Sequence, residues 1–191
     1  GIMTNGDVIA GSTTEVNVYP KMKLNGTKAL TGRALKDGEF KFQLLKQGTN
    51  KQDPSFADHK LQLNGCTKVG DGVTNDSDGN FAFNLGEVYS DGSIVYYLVE
   101  DPGDNPVSGV TCDETIYKIE FETTVAQTQK VLDITYTYYS VGKVKVTNLT
   151  KGDSMEVTPS DVSNVSVNLT NGKIFINDKT VTNAYTAKGS W

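Results

Sequence analysis

Three polar residues fall where strand alternation expects apolar ones, and their side chains are an amine, a carboxyl and a carboxamide. Around Lys28, positions Leu24, Lys28 and Leu30 share one face of a regular strand, which sets an ammonium group among aliphatic neighbours. In the run from Ser93 to Glu100 both faces are apolar through Tyr97, as in a central strand, and Ile94, Tyr96 and Leu98 lead along one face to Glu100. Near the end of the chain Val181, Asn183 and Tyr185 share a face, so Asn183 points inward with them. Each group alone would be costly to bury. Together they suggest a reaction. Apolar surroundings push a lysine towards its neutral, nucleophilic form and a carboxyl towards its protonated form. A protonated acid at Glu100 can polarise the carboxamide of Asn183 for attack by Lys28 and shuttle protons as ammonia leaves, which makes an amide bond between side chains. The same residues also admit plainer roles. Lys28 can lay its stem over the core edge with its charge in water, Glu100 can open the polar stretch from Asp101 to Gly109, and Asn183 can cap a turn.

Other chemistries have little material. The single histidine, His59, supports neither a zinc site nor a histidine-based triad. Cys66 and Cys112 are too few for a disulfide framework and stand in no Cys-x-x-Cys pair; an oxidising compartment would let them join. Asn75-Asp76-Ser77-Asp78-Gly79-Asn80 has the alternating oxygens of the first half of a calcium loop, but lacks the downstream glutamate and flanking helices, so it reads as a turn. No metal and no cofactor is expected. The net charge of −5 and the absence of a basic stripe argue against nucleic acid or an anionic membrane as partner. No apolar run approaches the roughly 20 residues of a membrane span. Gly1-Ile2-Met3 reads as the cut end of a longer chain.

The elements that must position these residues are strands. Short apolar runs separated by Gly, Asn and Asp clusters recur along all 191 residues, the pattern of a β-sandwich or barrel with little helix. The expected strands run from Glu15 to Tyr19, Gly26 to Leu30, Glu39 to Leu45, Lys60 to Leu63, Asn80 to Asn84, Ser93 to Glu100, Thr115 to Glu122, Val131 to Tyr139, Lys143 to Asn148, Val165 to Leu169, Lys173 to Ile176 and Thr180 to Tyr185. Asn171-Gly172 marks a tight hairpin, and Asp78-Gly79 opens another run in the same way. The stretch from Lys46 to Asp58 reads as a loop or insertion. The expected organisation is a leader over 1–22, one elaborated domain over 23–187 and a tail over 188–191.

The stretch Thr27-Lys28-Ala29-Leu30-Thr31-Gly32-Arg33-Ala34-Leu35-Lys36-Asp37-Gly38-Glu39-Phe40-Lys41-Phe42 resembles the opening of the pilin isopeptide-linkage domains of Gram-positive surface proteins, a CnaB-like, FctA-type, immunoglobulin-like sandwich. The likeness continues in register through Thr74 to Phe83, Tyr96-Tyr97-Leu98-Val99-Glu100, Gly109 to Asp113 with Ile116 to Ile119, and Val181-Thr182-Asn183-Ala184-Tyr185, the counterpart of a closing Phe-x-Asn-x-Tyr motif. The resemblance implies an all-β, immunoglobulin-like fold, a linking lysine at Lys28, a promoting acid at Glu100 and a linking asparagine at Asn183. Val181 departs from the usual Phe, and Asn177 is a second inward candidate for the asparagine.

Upstream, Val16-Asn17-Val18-Tyr19-Pro20-Lys21 resembles the Tyr-Pro-Lys motif of sortase-assembled backbone pilins, whose lysine is joined to the next subunit. That implies an exposed Lys21 at the end of an edge strand, with pilin subunits as partners through a sortase. Met22 stands where Asn is common and the Trp of the longer motif is missing; the residue types alone equally describe a strand end stopped by Pro20. The function expected is that of a structural, non-enzymatic domain of an extracellular, cell-wall-anchored pilin or adhesin shaft. The alternative is a carbohydrate- or host-ligand-binding module that presents tyrosines such as Tyr96, Tyr136 and Tyr138.

Overall fold

The computed structural model describes residues 14–88, 92–103, 109–158, 164–170, 173–176 and 179–180. The expected asparagines Asn183 and Asn177 lie outside the described residues.

Alternation in the sequence becomes two facing sheets. The first has the order β1 (Thr14–Val18), β10 (Ile134–Asn148), β9 (Tyr117–Val131), β8 (Gly92–Asp101), β3 (Lys41–Lys46) and β6 (Thr67–Thr74), with β11 (Asp153–Val157) also paired to β10. The second has the order β14 (Lys179–Thr180), β13 (Lys173–Ile176), β12 (Asn164–Thr170), β2 (Lys21–Thr27) and β7 (Asn80–Glu87). Met22, Leu24, Phe81, Phe83, Val165 and Val167 of the second sheet meet Phe42, Leu44, Ile94, Tyr96, Leu98, Ile119 and Phe121 of the first in the main core. This is an all-β, immunoglobulin-like sandwich, with no helix among the described residues.

The two-sided apolar run in β8 has a physical reason. Its inward face lies in the sandwich core, whereas Tyr97 and Val99 on the other face are covered by a second cluster with Leu45, Cys66 and Ile116. The cover is the insertion after β3, which is more ordered than the expected loop. It carries a small hairpin, β4 (Ser55–Ala57) with β5 (Lys60–Gln62), and packs Phe56, Leu61 and Leu63 against that cluster.

Several strands differ from expectation. The strand near Lys28 begins earlier and ends at Thr27, so Lys28 is the first residue past the ladder. The expected break between Tyr139 and Lys143 is a pair of bulges in one continuous strand, β10, and Val131 ends β9 instead of opening the next strand. The outer half of β9, Thr123 to Lys130, is polar and lacks alternation, so only its pairing with β10 identifies it as a strand. β6 has no counterpart among the expected strands because Gly70 and Gly72, both at positive φ, interrupt its pattern. β12 and β13 pair antiparallel with Thr170 opposite Lys173, as a hairpin turning at Asn171-Gly172 requires; those two residues lie outside the described set.

Candidate functional site

Lys28 is placed by the strand that precedes it and by the turn beside it. Inside β2 an ideal Cβ on Gly26 would stand 2.3 Å from the Phe81 ring, so only glycine lets that ring lie against the backbone. Past the ladder, the Lys28 N–H donates to Gly79 O at 2.7 Å. Gly79 sits at φ 91°, and an added Cβ would come within 2.1 Å of Lys28 O. Asp76 shapes this turn by accepting the N–H groups of Asp78 and Asn80 on Oδ1, at 3.0 and 2.8 Å. The run read as a turn former is therefore what fixes the lysine backbone.

The lysine side chain runs inward. Its Nζ lies 2.8 Å from Glu100 Oε1, with side-chain exposures of 12% for Lys28 and 3% for Glu100. The same Nζ stands 4.7 Å from the centroid of the Phe40 ring, close enough for cation–π attraction. Phe40 is held there by Asn75, which is buried: its Oδ1 accepts the Phe40 N–H at 2.8 Å, and its Nδ2 donates to Lys36 O at 3.0 Å. Arg33 and Glu39 clamp the same loop through their side chains, and the Arg33 guanidinium lowers the Glu39 carboxyl to about 2.

Glu100 lies opposite Phe42 of β3 and two residues beyond the last β8–β9 pair, Leu98 with Tyr117. Its Oε2 accepts the backbone N–H of Asp113 at 2.8 Å. Apart from Lys28, Oε1 has no hydrogen-bond donor among the described residues. Cys112 is next to this carboxyl; burial first, and then the charge of Glu100, pushes its thiol well up, so it stays protonated near neutral pH. Both cysteines are free, and Cys66 lies in the second cluster under the β4–β5 hairpin.

Of the residues singled out in the sequence, the fold thus joins Lys28 to Glu100. Lys21 is exposed, as expected, but it does not end an edge strand: it opens β2, an inner strand, where it pairs with Glu87 of β7 and Asn164 of β12. The edge strand is β1, which stops at Val18. Tyr96 packs edge-on against Phe121 in the main core, which removes it from any exposed platform, while Tyr136 and Tyr138 stack half-buried on β10. Sequence reasoning missed Phe40, Asn75 and Asp113. Their signal was faint, since an aromatic, an amide and an acid beside turns are common.

An amine just past the end of β2 in the second sheet and a carboxyl near the end of β8 in the first are enclosed together beside an aromatic ring, close enough to exchange a proton. Residues 24–186 match the Spy0128-like isopeptide-containing domain family, FctA, and the chain belongs to it. It is a pilin-type isopeptide-containing domain. No curated protein and no solved structure matches the chain.

Proposed function

We propose that this chain is a structural unit of a cell-surface pilin or adhesin shaft, closed by an amide bond between Lys28 and Asn183 that Glu100 promotes. The observation that carries this reading is the enclosed contact of 2.8 Å between Lys28 Nζ and Glu100 Oε1. A proton passing from Nζ to Oε1 leaves a neutral amine beside a neutral acid. The amine attacks Cγ of the carboxamide, the acid gives its proton to the departing Nδ2 and takes the second proton from Nζ, and the new C–N bond replaces the bond to Nδ2 as ammonia leaves, so the linked nitrogen keeps one hydrogen and Glu100 ends protonated. The Phe40 ring and the surrounding core keep water from hydrolysing or solvating the reacting groups. The reaction is a single self-modification, with no turnover of an external substrate.

The family match, which extends to residue 186, supports Asn183 as the acceptor. The competing candidate is Asn177, which like Asn183 lies outside the described residues. Intact-protein mass tests the bond, and fragmentation of the linked peptides locates it. The expected result is the loss of one ammonia, abolished in Glu100→Ala, with Lys28 joined to Asn183. An unchanged mass in the wild-type chain overturns the reading, whereas linkage to Asn177 corrects the acceptor alone.

The exposed Lys21 is the proposed acceptor for sortase-driven attachment of a neighbouring subunit, since an acyl-enzyme needs an accessible amine. The two lysines then play opposite parts, one enclosed and self-reactive, the other open to a partner. In the native host, Lys21→Ala should remove the ladder of high-mass polymer; a ladder that persists rules out this acceptor and leaves the internal bond untouched. A wall-anchored location follows from the same reading, and among the described residues no helix is long and apolar enough to cross a membrane.

A further inference from the structure

The loop that leads into β9 grips the second oxygen of Glu100. Because β9 pairs with β8 only as far as Leu98, the flank of Glu100 is left to residues 109–116. Within that loop Asp113 makes an Asx turn, its Oδ1 accepting the Thr115 N–H at 2.9 Å. The turn aims the Asp113 N–H at Glu100 Oε2, 2.8 Å away. The far side of the loop is anchored to the β10–β11 turn, where Ile116 N–H donates to Thr150 Oγ1 at 3.2 Å and Leu149 N–H donates to Ile116 O at 2.9 Å.

We propose that Asp113 is a positioning residue for amide formation: its turn holds Oε2 of Glu100, so that Oε1 alone takes the proton from Lys28 and returns it to the leaving nitrogen. This rests on the crosslink reading above. The balance of the reaction is unchanged by it. Two protons leave Nζ through Oε1, one passing on to the leaving nitrogen and one remaining on Glu100, the Nζ–Cγ bond forms as the Cγ–Nδ2 bond breaks, ammonia leaves, and Asp113 is not consumed. The titratable groups around the carboxyl are Lys28, the protonated Cys112 and Asp113, while β3 presents Phe42. A carboxyl free to rotate would present either oxygen to the amine, and misplacement of this order slows positioned reactions strongly.

The test is a time course of ammonia loss, read by intact mass, after refolding chains recovered unfolded. Asp113→Ala loses the turn and should slow the reaction about tenfold or more. Asp113→Asn keeps an oxygen at the Oδ1 position and should react close to the wild-type rate. Thermal unfolding of both substitutions in a Lys28→Ala background, where no bond forms, separates rate from stability; similar midpoints are expected. A wild-type rate in Asp113→Ala overturns the proposal, and so does a slow Asp113→Asn, which would point to charge instead of turn geometry. Should Asp113→Ala fail to fold, Asp113→Ser, whose hydroxyl makes only the weaker turn, takes its place: a slower reaction than in the wild type is expected, and a wild-type rate overturns the proposal. If the wild-type chain loses no ammonia, the crosslink reading itself fails, an outcome distinct from equal rates in the wild type and the alanine variant.

Discussion

Two neighbouring acids on β8 meet two lysines in opposite circumstances. Glu100 turns into the core and lies 2.8 Å from Lys28, with both side chains nearly enclosed. Asp101 turns the other way and, itself only 14% exposed, stands 4.0 Å from Lys68, whose side chain is 50% exposed. A one-residue step along a strand thus separates a candidate reaction centre from a pair whose lysine stands in water. The chemical types are nearly the same, so what differs is solvent. Both acids accept a backbone N–H, Asp101 Oδ1 from Gly103 at 2.9 Å, but water reaches Lys68 and weakens the outer contact, whereas the inner pair has exchanged hydration on both sides for a closer mutual contact.

The comparison breaks most sharply if Lys28 is removed. Lys28→Ala leaves Glu100 enclosed without its cation, and Lys28→Ala/Glu100→Gln removes the stranded charge; neither can form the bond. Chemical denaturation should show the single variant less stable than the double by about 3 kcal/mol. Equal stabilities would mean that the inner pair is as well screened as the outer one.

A smaller, local effect belongs to the clamp on the loop that carries Phe40. The hydrogen bond from Arg33 holds the folded Glu39 carboxyl at about 2, below its ordinary value of 4.5. A depressed carboxylate contributes stability above the unfolded value and loses it as pH falls through the folded one, so this clamp is complete above about 4.5 and gone below about 2. An NMR titration of the Glu39 carboxyl should follow that course, and in Arg33→Ala it should return to the ordinary range. A Glu39 titration that ignores Arg33→Ala would dissolve the clamp. The smallest effect is expected at the outer pair, where Lys68→Ala should change unfolding free energy by no more than about 0.5 kcal/mol and leave ammonia loss intact. A larger change would show that Asp101 is tied to the inner site after all.

The legible parts of this protein were those governed by alternation. Ile94, Tyr96, Leu98 and Glu100 point inward as their spacing requires, and Lys28 follows Leu24 and Gly26 onto the same side although the ladder stops short of it. What alternation cannot express stayed hidden. The outer half of β9 is a polar ladder whose strand character comes from its partner, and the hairpin in the insertion after β3 is defined by the apolar face it covers. Asn75 and Asp113 act through backbone groups far away in sequence, so their roles become visible only once the chain has closed.

The dispersal of the site along the chain has a kinetic meaning. Lys28, Phe40, Gly79, Glu100 and Asp113 come from five separate segments, and the acid lies on a strand that is covered on both faces. Such a centre has a high contact order: no local stretch can preassemble it, and loop closure must precede it. The proposed bond formation is therefore placed downstream of sheet assembly, and the ammonia it would release would serve as a chemical clock that starts only when native topology has been reached. A chain stalled with unpaired sheets keeps its full mass, so the mass spectrum of a population would count, molecule by molecule, those that had completed folding.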